Sequence, residues 1–334
     1  MKIGFFELEG WEEPIIREAL PNDELFLTKE KLTANQAAGH LGLEAISVFI
    51  NSPITADLIA TLPDLKFITT RSTGFDHIDV AACKTRNIAV SYVPGYGENT
   101  VAEFTFGLMV NLTRKMYEAI DQIKERGSFA LGGLRGIDLK GRTLGVVGTG
   151  RIGKEIIRIS KGFQMRVIAF DLYPNNQLAQ EFGFSYVTLE DLLRQADIVT
   201  LHCPYNKQTH HLINKDNIGL MKASAYLINT ARGGIIETDA LIKALAGRRI
   251  AGAGLDVLEE EGEIKEELIS LSDAYPSPEA SRTIVENHVL MKMPNVLITP
   301  HNAFNTQEAL GRILTTTFEN IKGFQTNHLV NLVS

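Results

Sequence analysis

The sequence predicts an α/β protein with mainly parallel sheets, and three observations support this prediction. Short apolar runs alternate with amphipathic helical stretches from one end of the chain to the other. Several of these runs are continuously apolar, which is typical of strands that are covered by helices on both faces. One run leads into a glycine-rich turn and then into a helix, an order that is typical of dinucleotide-binding α/β domains. With 334 residues, the chain is long enough for about two domains.

Ten apolar runs are interpreted as strands. In chain order they span residues 2–6, 45–50, 67–70, 88–93, 143–148, 166–171, 197–202, 225–229, 250–256 and 296–299.

Two helices are predicted from capping residues and from apolar spacing. Residues 99–126 predict one long helix, in which Asn99 can cap the first turn and Gly127 ends the last. An apolar stripe at helical spacing predicts a second helix near the C-terminus, formed by Leu310, Ile313, Leu314, Phe318 and Ile321. Residues 260–291 fit the alternation poorly, because they are acidic at first and then carry two prolines. We interpret them as a loop or a short-helix insertion.

Charge and cysteine content exclude several classes of protein. The chain has 33 Lys and Arg against 40 Asp and Glu, a net charge of −7, so it lacks the basic surface expected of a nucleic-acid or anionic-membrane binder. Cys83 and Cys203 form no C-x-x-C pair, which argues against a structural metal or a disulfide framework. The N-terminus becomes acidic within seven residues, and no run approaches about 20 apolar residues. We therefore expect a soluble, cytoplasmic protein.

The turn after the strand at 143–148 carries the motif G-x-G-x-x-G. Gly148 permits a tight turn, Gly150 permits close approach of the backbone to a pyrophosphate, and Gly153 permits close packing of helix on strand. The following helix directs N–H groups and a positive dipole at the phosphates. A glycine-rich turn alone is weak evidence, but here a second strand follows and ends in an acid, Asp171, 18 residues after the last glycine.

An acid at that position accepts hydrogen bonds from the adenosine ribose hydroxyls and repels a 2′-phosphate. The sequence therefore predicts NAD, rather than NADP, as the cofactor. The residues assigned to it at this turn are Gly148, Gly150, Arg151, Ile152, Gly153 and Asp171.

Polar residues follow three later strands at the edge where open α/β sheets bind ligands. Arg232 lies among small residues and can present its planar fork to a carboxylate, although it could equally pair with a surface acid. Asp256 ends the next strand and is followed by the acidic run 259–261, and His301 ends the last strand. A carboxylate beside an imidazole produces a proton donor near neutral pH. Acidic runs are commonly solvated and single histidines commonly structural, so the residues alone do not select His301 among eight histidines.

Four motifs, in this order and spacing, resemble the D-isomer-specific 2-hydroxyacid dehydrogenase family, and the likeness extends over nearly the whole chain. They are Gly148-Thr149-Gly150-Arg151-Ile152-Gly153, Asn229-Thr230-Ala231-Arg232-Gly233, Gly254-Leu255-Asp256-Val257 and Thr299-Pro300-His301, with further similarity in Arg71-Ser72-Thr73-Gly74-Phe75-Asp76 and Val101-Ala102-Glu103. The resemblance implies an NAD-dependent enzyme that interconverts a small 2-keto acid and its D-2-hydroxy acid, with pyruvate and D-lactate as the expected pair.

The resemblance also implies a role for each site residue. Arg232 binds the substrate carboxylate and polarises the carbonyl, His301 donates the proton, and Glu261, five positions after Asp256, is the carboxylate partner of His301. The substrate-binding residues are then Thr73, Gly74, Tyr96 and Arg232. The further cofactor-binding residues are Cys203, Pro204, Thr230, Ala231 and Asp256.

The implied topology places an NAD-binding Rossmann domain, residues 99–302, within a discontinuous flavodoxin-like substrate domain. That second domain is formed by residues 1–98 and by a C-terminal helix within 303–334. By analogy, the helix after Asn99 acts as a hinge and takes part in a homodimer interface.

One departure leaves the substrate open. After the histidine, the pyruvate-specific branch carries an aromatic pair that contains tyrosine, whereas this chain reads Asn302-Ala303-Phe304-Asn305. The alternatives are the same chemistry on glyoxylate, hydroxypyruvate, phosphoglycerate or a larger 2-keto acid. A further alternative is an NAD-sensing protein that resembles the corepressors with this fold.

Overall fold

The computed structural model describes residues 1–33, 39, 42–260 and 278–333. The chain divides into two compact units, one formed by Met1–Tyr96 with Asn305–Ser334 and the other by Gly97–Phe304. Each unit is built on one sheet whose described strand pairs are all parallel. The predicted α/β class with mainly parallel sheets is confirmed.

The first unit contains a five-stranded sheet in the order β2-β1-β3-β4-β5. Its strands are β1 Lys2–Phe5, β2 Glu24–Leu27, β3 Ala45–Val48, β4 Phe67–Thr70 and β5 Ala89–Ser91. Its helices are α1 Glu12–Ala19, α2 Ala56–Ala60, α3 Val80–Thr85 and, from the C-terminal part of the chain, α11 Gln307–Gln325. Neighbouring residues of the central strands enter different apolar clusters, Ile46 and Ile68 on one face and Ala45 and Phe67 on the other. This two-sided burial explains the continuously apolar runs.

The second unit contains a seven-stranded sheet in the order β12-β11-β10-β9-β6-β7-β8. Its strands are β6 Thr143–Val147, β7 Arg166–Phe170, β8 Ser185–Tyr186, β9 Ile198–Leu201, β10 Tyr226–Asn229, β11 Gly252–Leu255 and β12 Val296–Ile298. Its helices are α4 Glu98–Arg114, α5 Met116–Arg126, α6 Arg151–Gly162, α7 Asn176–Phe182, α8 Leu189–Gln195, α9 Thr238–Ala246 and α10 Pro278–Lys292. Because the strands are parallel, the loops that follow them emerge at one edge of the sheet.

The prediction of one continuous helix over residues 99–126 is wrong. The stretch forms two helices, α4 and α5, which are separated at Lys115. This residue adopts the left-handed conformation (φ 56°, ψ 38°), and its N–H donates to the carbonyl of Asn111. The stretch contains no proline, and its apolar spacing continues across the break, so the interruption has no signal in the sequence.

The prediction for residues 260–291 needs a correction in its second part, since residues 261–277 lie outside the described residues. Residues 278–292 form a 15-residue helix, α10, whereas a loop or short helix was expected. Pro278 is its first residue, a position at which proline is tolerated because the missing N–H would have no intrahelical partner. The proline therefore begins a helix and does not interrupt one.

The ten predicted strands are all present, with ends that differ by up to two residues, and the predicted C-terminal helix is α11. Strands β2 and β8 were not predicted: β2 begins with the exposed Glu24, and β8 has only two residues, Ser185 and Tyr186. Among the described residues, no helix is long and apolar enough to cross a bilayer. The same part of the chain contains no cluster of His, Cys, Asp and Glu that could hold a metal ion.

Candidate active site

At two positions of the glycine-rich turn between β6 and α6, a side chain would not fit. Gly148 has φ +91°, and a Cβ built on it would lie 2.7 Å from the backbone nitrogen of Cys203. A Cβ on Gly153 would lie 2.1 Å from the carbonyl oxygen of Gly148. A Cβ on Gly150, by contrast, meets nothing within 4 Å, so open space lies next to the backbone where α6 begins. The turn therefore offers unobstructed helix N–H groups, which fits a pyrophosphate.

The acid at the end of β7 is anchored to this turn. Oδ2 of Asp171 accepts hydrogen bonds from the backbone N–H of Thr149 at 2.7 Å and from its hydroxyl at 2.8 Å. Oδ1 accepts from the N–H of Tyr173 at 2.9 Å. The carboxylate keeps further acceptor capacity and is partly exposed. An acceptor held in this way next to the phosphate-binding turn fits the ribose hydroxyls of a dinucleotide.

The loop after β9 borders the same turn, and the loop after β10 follows the next strand of the sheet. Burial raises the pKa of the Cys203 thiol to about 11, so this residue is an uncharged packing group at neutral pH. The carbonyl of Pro204 accepts from the Thr209 hydroxyl at 2.6 Å. The hydroxyl of buried Thr230 lies 2.9 Å from the hydroxyl of Thr105 on α4. Cys203 and Pro204 thus lie in the loop after β9, and Thr230 begins the loop after β10.

The turn that carries Arg232 is shaped by the last residue of β10. The side chain of Asn229 accepts from the N–H of Ala231 at 3.0 Å and donates to the carbonyl of Arg232 at 2.9 Å. One guanidinium nitrogen of Arg232 donates to the carbonyl of Ala231 at 2.8 Å. Arg232 is half-buried and follows a turn that the side chain of Asn229 constrains.

The turn that carries His301 is held by the acid at the end of β11. Asp256 is 1% exposed, and its carboxylate accepts from the Thr299 hydroxyl at 2.5 Å and from the N–H groups of Asn302 and Ala303, each at 2.8 Å. The N–H of His301 donates to the backbone carbonyl of Asp256 at 2.8 Å, and His301 itself is left-handed, with φ 52°. Burial raises the pKa of the Asp256 carboxyl, and the hydrogen bonds from Thr299 and the two amides oppose this shift.

The expected partner of His301, Glu261, lies outside the described residues. Glu259, the first acid of the run 259–261, contacts other residues. Oε1 of Glu259 lies 2.6 Å from Nε2 of His211, and Oε2 accepts from the Thr238 hydroxyl at 2.8 Å. The sequence does not predict this contact, because the two residues lie 48 positions apart and no motif links them.

A second histidine was also missed. Nε2 of His202, directly after β9, lies 2.8 Å from the Thr200 hydroxyl, and Nδ1 is buried. Burial lowers the pKa of His202 to about 3, so the imidazole is neutral at pH 7.

Three of the four expected substrate-binding residues, Thr73, Gly74 and Tyr96, lie in the first unit, whereas Arg232 lies in the second. The Thr73 hydroxyl donates to the carbonyl of Val93 at 2.9 Å, and the carbonyl of Gly74 accepts from the Ser72 hydroxyl at 2.6 Å. Ahead of this loop lies Arg71, which is 2% exposed and donates to the carbonyls that follow β1 and to Ser47 on β3. This buried cation fixes the start of the loop, a role that the sequence did not reveal. The carbonyl of Tyr96 accepts from Arg312 at 2.7 Å.

The second unit is therefore a dinucleotide-binding α/β unit of the Rossmann type. One edge of its sheet carries a turn that fits a pyrophosphate, an acid that fits ribose hydroxyls, an arginine and a histidine, and groups of these kinds suit hydride transfer to a carboxylate-bearing substrate.

Comparisons with known proteins specify this class further. The family model "D-isomer specific 2-hydroxyacid dehydrogenase, NAD binding domain" matches residues 106–303. D-lactate dehydrogenase of Escherichia coli is 35% identical over 308 residues, which cover 91% of this chain and 88% of that protein. An aromatic 2-oxoacid reductase of Clostridium sporogenes is 38% identical over 288 residues, 85% of this chain and 83% of that protein. The structure of Aquifex aeolicus D-lactate dehydrogenase with NAD and lactic acid matches with a TM-score of 0.84 and 35% identity, covering 98% of this chain and 96% of that one.

The chain belongs to the D-isomer specific 2-hydroxyacid dehydrogenase family and is an NAD-dependent D-2-hydroxyacid dehydrogenase. The predictions of the family and of NAD as the cofactor are confirmed.

Proposed function

We propose that this enzyme reduces pyruvate to D-lactate and catalyses the reverse reaction. The main support for the proposal is that Arg232 and His301 follow strands β10 and β12 of the same sheet whose strand β6 leads into the glycine-rich turn. The similarity to D-lactate dehydrogenases of Escherichia coli and Aquifex aeolicus supports this choice of substrate. A small 2-keto acid needs one cation for its carboxylate and one proton donor for its oxygen.

Bound NAD supplies or accepts the hydride at C2 of the substrate. The guanidinium of Arg232 holds the substrate carboxylate through two parallel hydrogen bonds and stabilises negative charge on the reacting oxygen. His301 gives its proton to that oxygen in reduction and takes it back in oxidation. Asp256 positions His301 by accepting hydrogen bonds from the turn that carries it. We assign Glu261 as the carboxylate that orients the imidazole.

The remaining assignments form part of the same proposal. Besides Arg232, we assign three residues of the first unit to the substrate: Thr73 and Gly74 contact the carboxylate through backbone N–H groups, and Tyr96 belongs to the substrate loop. Cofactor binding belongs to the second unit. There, Cys203, Pro204, Thr230, Ala231 and Asp256 complete the set begun by Gly148, Gly150, Arg151, Ile152, Gly153 and Asp171.

We also propose that the enzyme is a cytoplasmic homodimer. Helix α5 has no buried residue and exposes Met116, Ile120 and Ile123, which lie on one face at helical spacing. The loop after it exposes Phe129 and Leu131, 83% and 84% accessible. Contiguous apolar side chains of this kind are typical of an interface, and a second copy of the chain is the partner we propose.

A larger 2-keto acid is the second candidate substrate. Phe304 lies edge-on to His301, with ring centroids 6.3 Å apart. Residues 302–305 contain no tyrosine, whereas the pyruvate-specific branch commonly has an aromatic pair with tyrosine after the histidine. The 38% identity to an aromatic 2-oxoacid reductase supports the same possibility.

The test is NADH oxidation with a panel of keto acids: pyruvate, glyoxylate, hydroxypyruvate, 2-ketoisocaproate and phenylpyruvate. We expect the highest kcat/KM with pyruvate and a product that is the D isomer by chiral chromatography. A higher kcat/KM with phenylpyruvate would favour the second candidate. An L product, or no turnover with any of the five, would contradict both.

A further inference from the structure

Glu259 joins three separate segments around the Arg232 turn. Its carboxylate contacts the imidazole of His211 at 2.6 Å and the hydroxyl of Thr238 at 2.8 Å. Its backbone carbonyl accepts from the side chain of buried Asn287 on α10 at 2.7 Å. The side chain of Glu259 is 16% exposed and that of His211 is 33% exposed, so the contact between them is largely shielded from solvent. A shielded carboxylate–imidazole contact is stronger and more directional than an exposed one.

The backbone of this segment lies directly against the residue after Arg232. A Cβ on Gly233 would lie 2.0 Å from the carbonyl carbon of Leu258 and 2.2 Å from the nitrogen of Glu259. The loop after β11 and the turn after β10 therefore touch backbone to backbone. A shift of residues 258–259 toward Gly233 would displace the Arg232 turn, because no side chain lies between the two backbone segments.

His211 closes the ring of contacts from the other side. Its N–H donates to the carbonyl of Gly234 at 2.8 Å, and Ile213 extends the attachment by donating to Ile235 at 3.1 Å. His211 is left-handed, with φ 50°, a conformation that costs a histidine free energy and needs surrounding contacts to hold it. The path runs from the Glu259 carboxylate through the His211 ring and backbone to Gly234 and Gly233, and back to the Glu259 nitrogen.

We propose that Glu259 and His211 act as a clamp that positions Arg232 for the substrate carboxylate. Both are positioning residues: they act through the turn and do not touch the substrate. This inference rests on the proposed function, because it needs Arg232 to bind the keto acid. The clamp gives the first acid of the run 259–261 a task that is separate from the one proposed for Glu261.

The experiment compares Glu259→Ala and His211→Ala with the native enzyme. We expect each variant to raise the keto-acid KM about tenfold, while the NADH dissociation constant, measured by fluorescence, stays within about twofold. Glu259→Gln and His211→Gln keep a hydrogen-bonding group at each position and should recover part of the loss. Glu260→Ala, one position further along the same loop, is the matched control and should keep the native KM. If Glu259→Ala fails to fold, His211→Ala provides the test, because the His211 side chain is 33% exposed and its loss disturbs the core less.

A double-variant cycle separates positioning from general damage. In an Arg232→Lys background the fork is already lost, so adding His211→Ala should change kcat/KM less than about twofold. The clamp would be overturned if the factors by which Arg232→Lys and His211→Ala each lower kcat/KM multiplied in the double variant. Equal losses of keto-acid and NADH binding would overturn it as well. So would native KM values in both alanine variants. If the native enzyme reduces no keto acid, or Arg232→Lys leaves the keto-acid KM unchanged, the proposed function fails and the clamp fails with it.

Discussion

The carboxylate of Asp256 accepts a hydrogen bond from the backbone N–H of Ala303 at 2.8 Å, and this bond ties the end of β11 to the turn that carries His301. The same carboxylate accepts from Asn302 and Thr299, and the Asp256 carbonyl accepts from the N–H of His301. The left-handed backbone of His301 is thus stabilised by one buried acid. Asp256 therefore shapes the turn of the proposed proton donor.

Replacing Asp256 with Ala is expected to impair catalysis and stability together. Three donors would lose their acceptor, and for the buried N–H of Ala303 the loss costs about 1–3 kcal/mol when no water replaces the carboxylate. We expect kcat for keto-acid reduction to fall at least about tenfold, with a smaller change in the NADH dissociation constant, and a lower urea midpoint. Asp64→Ala, at an exposed position of the first unit, should change neither. A native kcat in Asp256→Ala would show that the turn does not depend on this acid.

Asp171 is expected to set the choice between NADH and NADPH. Its carboxylate, held by Thr149 and Tyr173, would repel the 2′-phosphate of NADPH. Asp171→Ser should narrow the preference for NADH, and each tenfold change corresponds to about 1.4 kcal/mol. The measurement is kcat/KM for both cofactors in both proteins. Equal efficiency of the native enzyme with NADH and NADPH would refute this role.

The sequence predicted those parts of the fold whose physical requirements are local. Central strands are buried on both faces, so Ala45–Val48 and Ile198–Leu201 had to be largely apolar and were recognisable. Strand β2 begins with an exposed glutamate and β8 has only two residues, so neither forms a recognisable apolar run. The break at Lys115 depends on one left-handed residue that no composition rule marks.

The candidate site shows the same division. Gly148 and Gly153 could be identified because backbone atoms occupy the space that a side chain would need. The contact between Glu259 and His211 could not, since tertiary structure alone brings these residues within 2.6 Å. The buried cation Arg71 was visible only as part of a motif, because its acceptors come from strands far away in sequence.

Arg232→Lys is expected to separate substrate binding from cofactor binding. Lysine keeps the positive charge but loses the planar fork that binds a carboxylate through two parallel hydrogen bonds. The keto-acid KM should rise at least about tenfold while the NADH dissociation constant changes little. Steady-state kinetics and fluorescence titration measure the two quantities. If NADH binding weakens as much as keto-acid turnover, Arg232 belongs to the cofactor site.

The apolar face of α5 is expected to be covered by a second copy of the chain. Ile120→Asp places a charge in the middle of that face, so burial there becomes unfavourable. Light scattering should give about twice the 36.9 kDa chain mass for the native protein and the single-chain mass for the variant. Glu125→Ala, on the opposite face of α5, should leave the mass unchanged. A native protein of single-chain mass would contradict the dimer.

His202 is expected to make the native protein sensitive to acid. Its ring nitrogens are either buried or bonded to Thr200, and burial lowers its pKa from 6.5 to about 3. Below pH 6.5 the unfolded chain takes up a proton that the folded chain refuses, so the free energy of unfolding falls as the pH falls. The loss ends near pH 3, where the folded state is protonated too, and its steepest slope is about 1.4 kcal/mol per pH unit.

His202→Gln removes this difference in proton binding. Between pH 7 and pH 4, the free energy of unfolding measured with urea should therefore depend less steeply on pH in the variant than in the native protein. His328→Gln, which changes an exposed histidine, should retain the native slope. Identical slopes in the native protein and His202→Gln would mean that His202 binds its proton equally well in the folded and unfolded states.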